Sequence, residues 1–266
     1  MRSNIPKLII LALVVFLAGI IQVTPSAFAQ SDGLTRWQIH DMSRPQPPVV
    51  TPGEASTQEK PGAPPSDAIV LFDGTSLAAW QTEKGAPAPW KVENGYLEVV
   101  PKSGDIYTKQ SFGDCQVHVE WQSPPWTPGN TYDPGNSGVY LAALYEVQVI
   151  DSVHSKIYAD GQAAAMYGQY PPLANASRPP GLWQIYDIVF RDARFDAAGK
   201  LLRPAVVTVF HNGVLVQDHV ELTGPTMHHQ RPPYQPHPAR MPLRLQDHNY
   251  TVRFRNIWIR EIGEVQ

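Results

Sequence analysis

The chain has 266 residues, a net charge of −3 at pH 7 and a charged fraction of 17%. Because no basic patch or acidic run stands out, electrostatics give no support for nucleic-acid binding. The single cysteine, Cys115, excludes an intramolecular disulfide, so stability must come from a buried core.

Residues 1–29 have the order of a secretory signal. Arg2 and Lys7 precede an almost wholly apolar run, residues 8–23, and Ala27-Phe28-Ala29 matches the small-residue cleavage pattern. The apolar run is short for a membrane span. We therefore expect a cleaved signal peptide, no lasting membrane insertion and a periplasmic or secreted location. A retained membrane anchor is the alternative.

Residues 30–66 are rich in proline, with Pro-Gln-Pro-Pro and Pro-Gly-Ala-Pro-Pro among their runs. Few apolar residues recur there with any period. This composition predicts an extended, poorly ordered linker.

Residues 67–263 are predicted to form one all-β domain, a sandwich of two antiparallel sheets. Short β-rich runs are separated by turn residues, and helical periodicity is hard to find. Asn94-Gly95 and Asn212-Gly213 are strong hairpin signals, because tight primed turns need positive φ at both positions. Strands are expected at 68–72, 90–93, 96–99, 106–108, 115–122, 138–142, 145–150, 183–191, 205–211, 214–221, 241–246 and 249–261.

The run 145–151, Tyr-Glu-Val-Gln-Val-Ile-Asp, predicts a strand with Glu146 and Gln148 on one side and apolar residues on the other. Polar and apolar residues also alternate along the runs 117–122 and 243–248. The alternation places Glu120 on the polar side of the first strand, and Gln246 and His248 on the polar side of the second. We expect these five side chains to converge on one polar sheet face that binds a hydroxylated ligand. The alternative is that the face meets solvent, as in many antiparallel sheets.

Two proline-rich inserts, residues 123–136 and 224–240, are expected to form the rim of this cleft, since binding loops are carried on rigid sheets. The second insert contains His228, His229 and His237. Those histidines lack the fixed spacing that a helix or turn gives to metal ligands, so the rim is the favoured interpretation.

Several motifs in order resemble the 3-keto-disaccharide hydrolase domain family, formerly a domain of unknown function, over about residues 66–262. They are Leu71-Phe72-Asp73-Gly74-Thr75-Ser76-Leu77 with Trp80, Asn136-Ser137-Gly138-Val139-Tyr140, the run 145–151, Pro180-Gly181-Leu182-Trp183, His211-Asn212-Gly213, Leu245-Gln246-Asp247-His248 and Val252-Arg253-Phe254-Arg255-Asn256-Ile257. The resemblance implies a concanavalin-A-like jelly roll and action on sugars oxidised at carbon 3. The chain departs from the family at Leu182-Trp183-Gln184, where Glu-Trp-Asn is common, and its insert before Asn136 is longer.

Cleavage of a 3-keto-glycoside needs a base for the carbon 2 proton, a donor or cation for the enolate oxygen and an acid for the leaving group. The catalytic candidates are Glu146, Asp151 and His248. Strict alternation places Asp151 on the opposite side from Glu146, so a bulge or strand end would be needed to bring it in. The alternative for Asp151 is a turn carboxylate, and for His248 a structural hydrogen bond.

The remaining candidates are predicted to bind the substrate. Their amides and carboxylate can bind sugar hydroxyl groups, and they also include one cationic side chain and one aromatic ring. They are Glu120, Asn136, Gln148, Tyr167, Gln246 and Arg255. A divalent metal ion held by Glu146 and His248 is a further hypothesis, since metals stabilise enolates.

Two other functions remain open at this point. A retaining glycosidase needs two close carboxyl groups, but position 148 holds glutamine where a second glutamate would face the cleft. A non-catalytic carbohydrate-binding protein of the envelope would use the same polar face. For all three functions the expected partner is a small glycoside or oligosaccharide. An enzyme that cleaves 3-keto-glycosides would also depend on an upstream sugar 3-oxidoreductase to supply its substrate.

Overall fold

Fifteen β-strands and one 3₁₀ turn, Ala159–Gly161, make up the regular structure of the described residues. The strands are β1 (Ile69–Phe72), β2 (Trp80–Thr82), β3 (Lys91–Glu93), β4 (Tyr96–Glu98), β5 (Ile106–Phe112), β6 (Cys115–Gln122), β7 (Ser137–Leu141), β8 (Tyr145–Val149), β9 (Gln184–Arg191), β10 (Arg194–Phe195), β11 (Leu201–Arg203), β12 (Val206–His211), β13 (Val214–Glu221), β14 (Met241–Leu245) and β15 (Arg253–Glu261). The all-β prediction is confirmed.

The structure is a computed structural model that describes residues 42–44 and 46–263. Residues 47–263 lie in one compact unit. The predicted signal peptide, residues 1–29, lies outside the described residues. Within the described part of the chain, no helix is long and apolar enough to cross a membrane.

Two antiparallel sheets form a jelly-roll sandwich. The larger sheet has eight strands in the order β13-β12-β9-β6-β15-β4-β3, with β1 added beside β15. The smaller sheet has five strands in the order β2-β5-β14-β7-β8. Strand β8 is the last strand of the smaller sheet, and residues 164–167 cover it through backbone bonds from and to Glu146 and Gln148. This cover protects an edge that would otherwise be open to pairing with another chain.

Strand alternation places the core between the sheets. Val117, Val119 and Trp121 of β6 are buried on the inner side of the larger sheet, and Tyr145 and Val147 of β8 are buried on the inner side of the smaller one. Each such side chain contributes about 1.5–3 kcal/mol through removal of apolar surface from water. The outer faces are therefore left to the polar residues of the same strands.

The hairpin predictions are confirmed by positive φ angles at Asn94, Gly95, Asn212 and Gly213. Strands β2, β10 and β11 were not predicted, because each has only two or three residues and, unlike the equally short β3 and β4, none is marked by an Asn-Gly turn. Strand β15 begins at residue 253 rather than 249, since residues 246–252 form an irregular connection with Asn249 at a positive φ of 66°.

Residues 51–66, here called the strap, belong to the predicted linker but hydrogen-bond to the sandwich. The strap folds back on itself through bonds between Thr51 and Ser66 and from Glu54 N to Ala63 O. At its tip, the Gln58 side chain accepts a bond from Trp183 N at 2.7 Å and donates one to Trp183 O at 3.0 Å. Composition alone did not indicate these contacts, because they are made by single polar side chains and backbone carbonyls rather than by an apolar pattern.

A β-bulge builds the surface on which the strap lies. One extra residue separates Arg255 from Trp258 opposite β6, and Asn256 takes a positive φ of 47°. The bulge brings both Arg255 Nε and Asn256 Nδ2 within 2.7 Å of the Glu120 carboxylate. Carbonyl oxygens of the strap residues Thr57 and Gln58 accept bonds from the other nitrogens of Arg255.

Substitution Gln58→Ala should lower the free energy of unfolding by about 1–3 kcal/mol, because it leaves the backbone N–H of the buried Trp183 without its partner, while Arg178 Nη1 still donates to Trp183 O. Urea unfolding monitored by tryptophan fluorescence measures the change. Glu59→Ala, at the neighbouring exposed position, is the matched control. Equal midpoints for Gln58→Ala and wild type would show that the strap does not hold to the sandwich.

Candidate active site

A cavity of about 260 Å³ lies over the outer face of the smaller sheet. Its lining includes six of the nine predicted site residues: Asn136, Glu146, Gln148, Tyr167, Gln246 and His248. The structure therefore brings Glu146 and His248 together at one opening. The predicted polar face is a concave site rather than a flat solvated surface.

Strand register arranges the cavity floor in two rows across β14, β7 and β8. In the first row, Arg244 is paired with Tyr140 and Tyr140 with Glu146. In the second row, Gln246 N donates to Gly138 O at 3.1 Å, and Gly138 is paired with Gln148. Because side chains repeat every two residues along a strand, each row presents its side chains to the same outer face.

Gly138 leaves the space that the Glu146 carboxyl group occupies. A Cβ atom added at Gly138 would lie 2.5 Å from Glu146 Oε1 and 2.8 Å from the ring of Tyr140. Such approaches are shorter than van der Waals contact, so any larger residue would displace one of the two side chains. Gly138 lies within β7, in agreement with the strand predicted at residues 138–142.

Burial strongly perturbs the carboxyl group of Glu146. Glu146 is only 4% exposed. Burial raises the pKa of Glu146 to about 8, against the opposing effects of a hydrogen bond with Tyr140 and the nearby charge of Arg244. The carboxyl group therefore changes protonation state near neutral pH, which is the property of a general acid or base.

Tyr140 links Glu146 to the rest of the floor. Gln246 Nε2 donates to the Tyr140 hydroxyl at 3.2 Å, and the guanidinium of Arg244 lies 3.5 Å from the centre of the Tyr140 ring. Burial, together with the charge of Glu146, raises the pKa of Tyr140 well above its ordinary value. Tyr140 therefore stays a neutral phenol that can donate to the Glu146 carboxylate.

Among the described residues, three buried polar atoms in or beside the cavity floor have no hydrogen-bond partner: Arg244 Nε, Gln246 Oε1 and His248 Nδ1. The carboxylate of Asp133 lies 3.9 Å from His248 Nδ1, beyond hydrogen-bond distance. The His248 side chain as a whole is 44% exposed, so the ring extends from this buried atom toward solvent. Buried polar atoms without partners are costly, and a bound hydroxylated ligand would satisfy those of the cavity residues Gln246 and His248.

Loops form the walls. The first proline-rich insert contributes Tyr132 and Asp133, and the second contributes Thr226, Met227 and His228. Both inserts thus form part of the rim, as predicted. On the remaining side the hydroxyl groups of Tyr158 and Tyr167 hydrogen-bond to each other.

Asp151 does not line the cavity. Its carboxylate accepts bonds from Val153 N at 2.9 Å and His154 Nδ1 at 2.7 Å. The His154 ring in turn stacks on Trp126 of the first insert, with 4.2 Å between ring centres. The structure therefore places Asp151 in the turn role, since no bulge brings it back to the Glu146 side.

Glu120 was predicted to share the face of Glu146, and this placement is wrong. Arg255, predicted as a substrate-binding residue, does not line the Glu146 cavity either. Both lie on the outer face of the larger sheet, joined by the 2.7 Å ion pair under the strap. Glu120 has no exposed surface. Alternation fixes the side of a strand that a residue occupies, but not the sheet to which the strand belongs.

His118 completes the Glu120 cluster. Its Nδ1 lies 2.7 Å from Asp187 and its Nε2 3.5 Å from Glu120. Although burial opposes the charged form, hydrogen bonds to these two carboxylates raise the pKa of His118 to about 9. The cluster is thus an internally balanced set of charges, which is typical of a structural network.

The family departure at residues 182–184 also lies away from the Glu146 cavity. Gln184 bonds to the backbone of Arg178 and to Asn212, and so braces the connection before β9. Trp183 is buried, and the guanidinium of Arg255 lies 4.3 Å from its ring centre. Trp183 therefore packs within the protein.

Among the described residues, no group of three or more His, Cys, Asp or Glu side chains could hold a metal ion. Glu146 and His248 share the cavity with Asp133 and His228, but no three of these described side chains are grouped closely enough to hold a metal ion. His237, from the second insert, bonds instead to the Tyr145 hydroxyl at 3.0 Å. No step below is therefore assigned to a metal.

Sequence reasoning missed Tyr140 and Arg244 as site residues. Both lie on the same side of the sheet as predicted site residues. Arg244 shares a side of its strand with Gln246 and His248, and Tyr140 lies directly opposite Glu146 in the β7–β8 pair. Alternation could have identified them. The loop residues Tyr158, Thr226 and Met227 gave no such signal, because loops have no side-chain period.

Comparison with known proteins places this geometry in a family. Residues 67–260 match the description "3-keto-alpha-glucoside-1,2-lyase-like domain". A solved structure from Parabacteroides distasonis, provisionally assigned as a glycosyl hydrolase, is 43% identical with a TM-score of 0.78 and covers 84% of this chain and 97% of its own. A second structure from the same organism, with the same provisional assignment, has 21% identity, a TM-score of 0.56 and coverage of 74% and 94%, and supports the fold alone. No curated protein matched.

The class defined by fold and site is a carbohydrate-acting β-sandwich. The chain belongs to the family of 3-keto-α-glucoside-1,2-lyase-like domains.

Substitution Gly138→Ala should destabilise the fold by about 1–3 kcal/mol through overpacking and should move the Glu146 carboxyl group. Chemical unfolding and a crystal structure of the variant measure the two effects. Gly263→Ala is the control, because nothing lies within 4 Å of a Cβ added there. An unmoved carboxyl group at full stability would contradict the role given to Gly138.

Substitution Glu146→Gln should remove a pH dependence of stability. Between the ordinary pKa of 4.5 and the folded-state value of about 8, the folded chain holds a proton that the unfolded chain has lost. The free energy of unfolding of wild type should therefore fall as pH rises through this window. Urea unfolding between pH 5 and 9 should show that Glu146→Gln gains stability relative to wild type as the pH rises. Glu59→Gln is the control. If the free energies of unfolding of Glu146→Gln and wild type changed in parallel with pH, a raised pKa of Glu146 would be contradicted.

Proposed function

We propose that this protein cleaves 3-keto-glycosides by removing the proton at carbon 2, expelling the group at carbon 1 and adding water, for a net hydrolysis. The observation that carries the proposal is the buried Glu146 carboxyl group at the cavity floor, with its pKa raised to about 8 and its hydrogen bond to Tyr140. The family description, a 3-keto-α-glucoside-1,2-lyase-like domain, supports the same reaction class.

Glu146 is the base. A ketone at carbon 3 acidifies the neighbouring C2–H bond, because the electron pair left behind delocalises onto the ketone oxygen. Ionised Glu146 takes that proton and becomes the neutral acid that its buried position favours. A base with a pKa near the working pH combines a useful ionised fraction with adequate basicity.

Amide and imidazole groups are the candidates for the enolate oxygen and the leaving group. Asn136, Gln148 and Gln246 line the cavity and carry side-chain N–H donors. Gln148 lies in β8, Asn136 directly precedes β7 and Gln246 directly follows β14, so the sheet holds these donors in place. Donors held in this way stabilise negative charge with little reorganisation. His248 extends from the floor toward solvent and is the proposed acid for the departing oxygen.

The reaction makes as many bonds as it breaks. The C2–H electron pair forms a C1=C2 double bond as the C1–O bond breaks, and the leaving oxygen takes the acid's proton. Water then adds its hydroxyl to carbon 1 and a proton to carbon 2. Because the substrate already carries the ketone, an upstream sugar 3-oxidoreductase is the proposed supplier, and the sequence of residues 1–29 supports a periplasmic or secreted setting.

Purified protein should cleave a 3-keto-glucoside and leave the unoxidised glucoside intact, and Glu146→Gln should lower kcat/KM at least about 100-fold through loss of the base. Product release followed by chromatography measures this, with Glu59→Gln as control. Equal rates on both sugars would remove the enolate mechanism. Binding of the 3-keto-glucoside without turnover would favour the carbohydrate-binding alternative.

Tyr140→Phe should move the pH profile. In wild type, kcat/KM should rise with pH as Glu146 ionises, and the midpoint of the rise should lie near the Glu146 pKa of about 8. The bond from Tyr140 lowers the pKa of Glu146, so removing the hydroxyl should shift the midpoint to higher pH. An unchanged midpoint in the variant would contradict this contact.

A further inference from the structure

A reciprocal pair of hydrogen bonds joins the turn before β5 to the connection after β14. Asp247 N donates to Asp105 Oδ1 at 2.9 Å, and Gly104 N donates to Asp247 Oδ2 at 2.9 Å. Asp247 stands between Gln246 and His248 in the chain, and both of these neighbours line the cavity over Glu146. The two bonds therefore hold in place the segment that carries both residues.

Asp105 also reaches the other row of the cavity floor. Its Oδ2 atom forms an ion pair with Arg244 Nη1 at 3.4 Å. The guanidinium of Arg244 lies 3.5 Å from the centre of the Tyr140 ring, and Tyr140 is paired with Glu146 across β7 and β8. The two oxygens of one carboxylate therefore serve the two rows separately.

The turn that carries Asp105 is itself fixed. Asp105 directly precedes β5, and Gly104 before it takes a positive φ of 89°, a backbone conformation that favours glycine. The carbonyl oxygen of Gly104 accepts a bond from Trp90 Nε1 at 3.0 Å. Because Trp90 is buried in the core, the Asp105 carboxylate is held by the packed interior rather than by a free loop.

The charges around Asp105 come from three segments. Arg244 of β14 is positive, whereas Asp247 after β14 and Glu83 after β2 are negative. Burial raises the pKa of Asp105 above its ordinary value of 3.8, and the bond from Asp247 N and the charge of Arg244 oppose this rise. Burial also raises the pKa of Glu146, and there the charge of Asp105 adds to the rise while that of Arg244 opposes it.

We propose that Asp105 is a positioning residue that holds both rows of the cavity floor in one arrangement. It acts on the row of Glu146 through Arg244, and on the row of Gln246 through Asp247. Asp105 does not line the cavity, so it does not act on the sugar directly. The assignment rests on the proposed function, because it takes Glu146 to be the base.

Asp105→Asn tests the link to Glu146. Asparagine can still accept the bond from Asp247 N, but it lacks the negative charge that faces Arg244. The pKa of Glu146 should therefore fall. Infrared difference spectra of the carboxyl stretch, recorded for Asp105→Asn against the double variant with Glu146→Gln, should show a Glu146 midpoint at lower pH than in wild type. Asp218→Asn removes the same charge at an exposed position of β13 and should leave the midpoint unchanged.

Asp105→Ala removes the acceptor for Asp247 N as well. It should lower kcat/KM for a 3-keto-glucoside about 10- to 100-fold, because a misplacement of about 1 Å in an active site can cost about 100-fold. Asp105→Asn, which retains that bond, should lose less. In both variants the midpoint of the rise of kcat/KM with pH should move to lower pH, whereas a role confined to stability would leave that midpoint unchanged.

A Glu146 midpoint that is unchanged or higher in folded Asp105→Asn would overturn the positioning role. Asp105→Ser, which also lacks the charge and needs less space, decides in the same way if the asparagine variant does not fold. If wild type cleaves no 3-keto-glucoside, the proposed function fails, while the infrared midpoint still decides whether Asp105 acts on Glu146.

Discussion

A carboxyl group shielded from water and held by a neutral phenol is the interaction on which the site depends. Glu146 is buried over β8, Tyr140 meets it from β7, and Arg244 lies beneath the Tyr140 ring from β14. Burial disfavours the ionised form, while the phenol and the guanidinium favour it. The balance leaves the pKa near neutrality, and each of the three strands contributes one member of the row. The absence of a side chain at Gly138 is what makes room for this arrangement.

The two sheets divide their outer faces between two different tasks. The smaller sheet carries the cavity, where buried atoms of Gln246 and His248 remain without protein partners. The larger sheet carries Glu120 and Arg255, whose hydrogen bonds are met by the β15 bulge and the strap. Unsatisfied polar groups are expected where a ligand binds, and fully satisfied ones where the protein closes on itself. This contrast distinguishes the candidate site from the structural network more clearly than residue type does.

Much of the fold and about two thirds of the site were predictable from local pattern. Asn-Gly turns identified hairpins, and alternation assigned Glu146, Gln148, Gln246 and His248 to one side of their strands. Which strands are neighbours depends on long-range pairing, so Glu120 was placed in the wrong sheet. Asp151 and the strap depend on single polar contacts that no periodic pattern encodes. The loop walls, including Tyr158, follow from tertiary packing and left no signal in the sequence.

The most direct measurement of the central claim is the titration of Glu146 itself. Infrared difference spectra of the carboxyl stretch, recorded for wild type against Glu146→Gln from pH 4 to 10, isolate this one group. The account predicts a protonated carboxyl band that disappears with a midpoint near pH 8. A midpoint near the ordinary glutamate value of 4.5 would show an ionised carboxylate at neutral pH and would contradict the account.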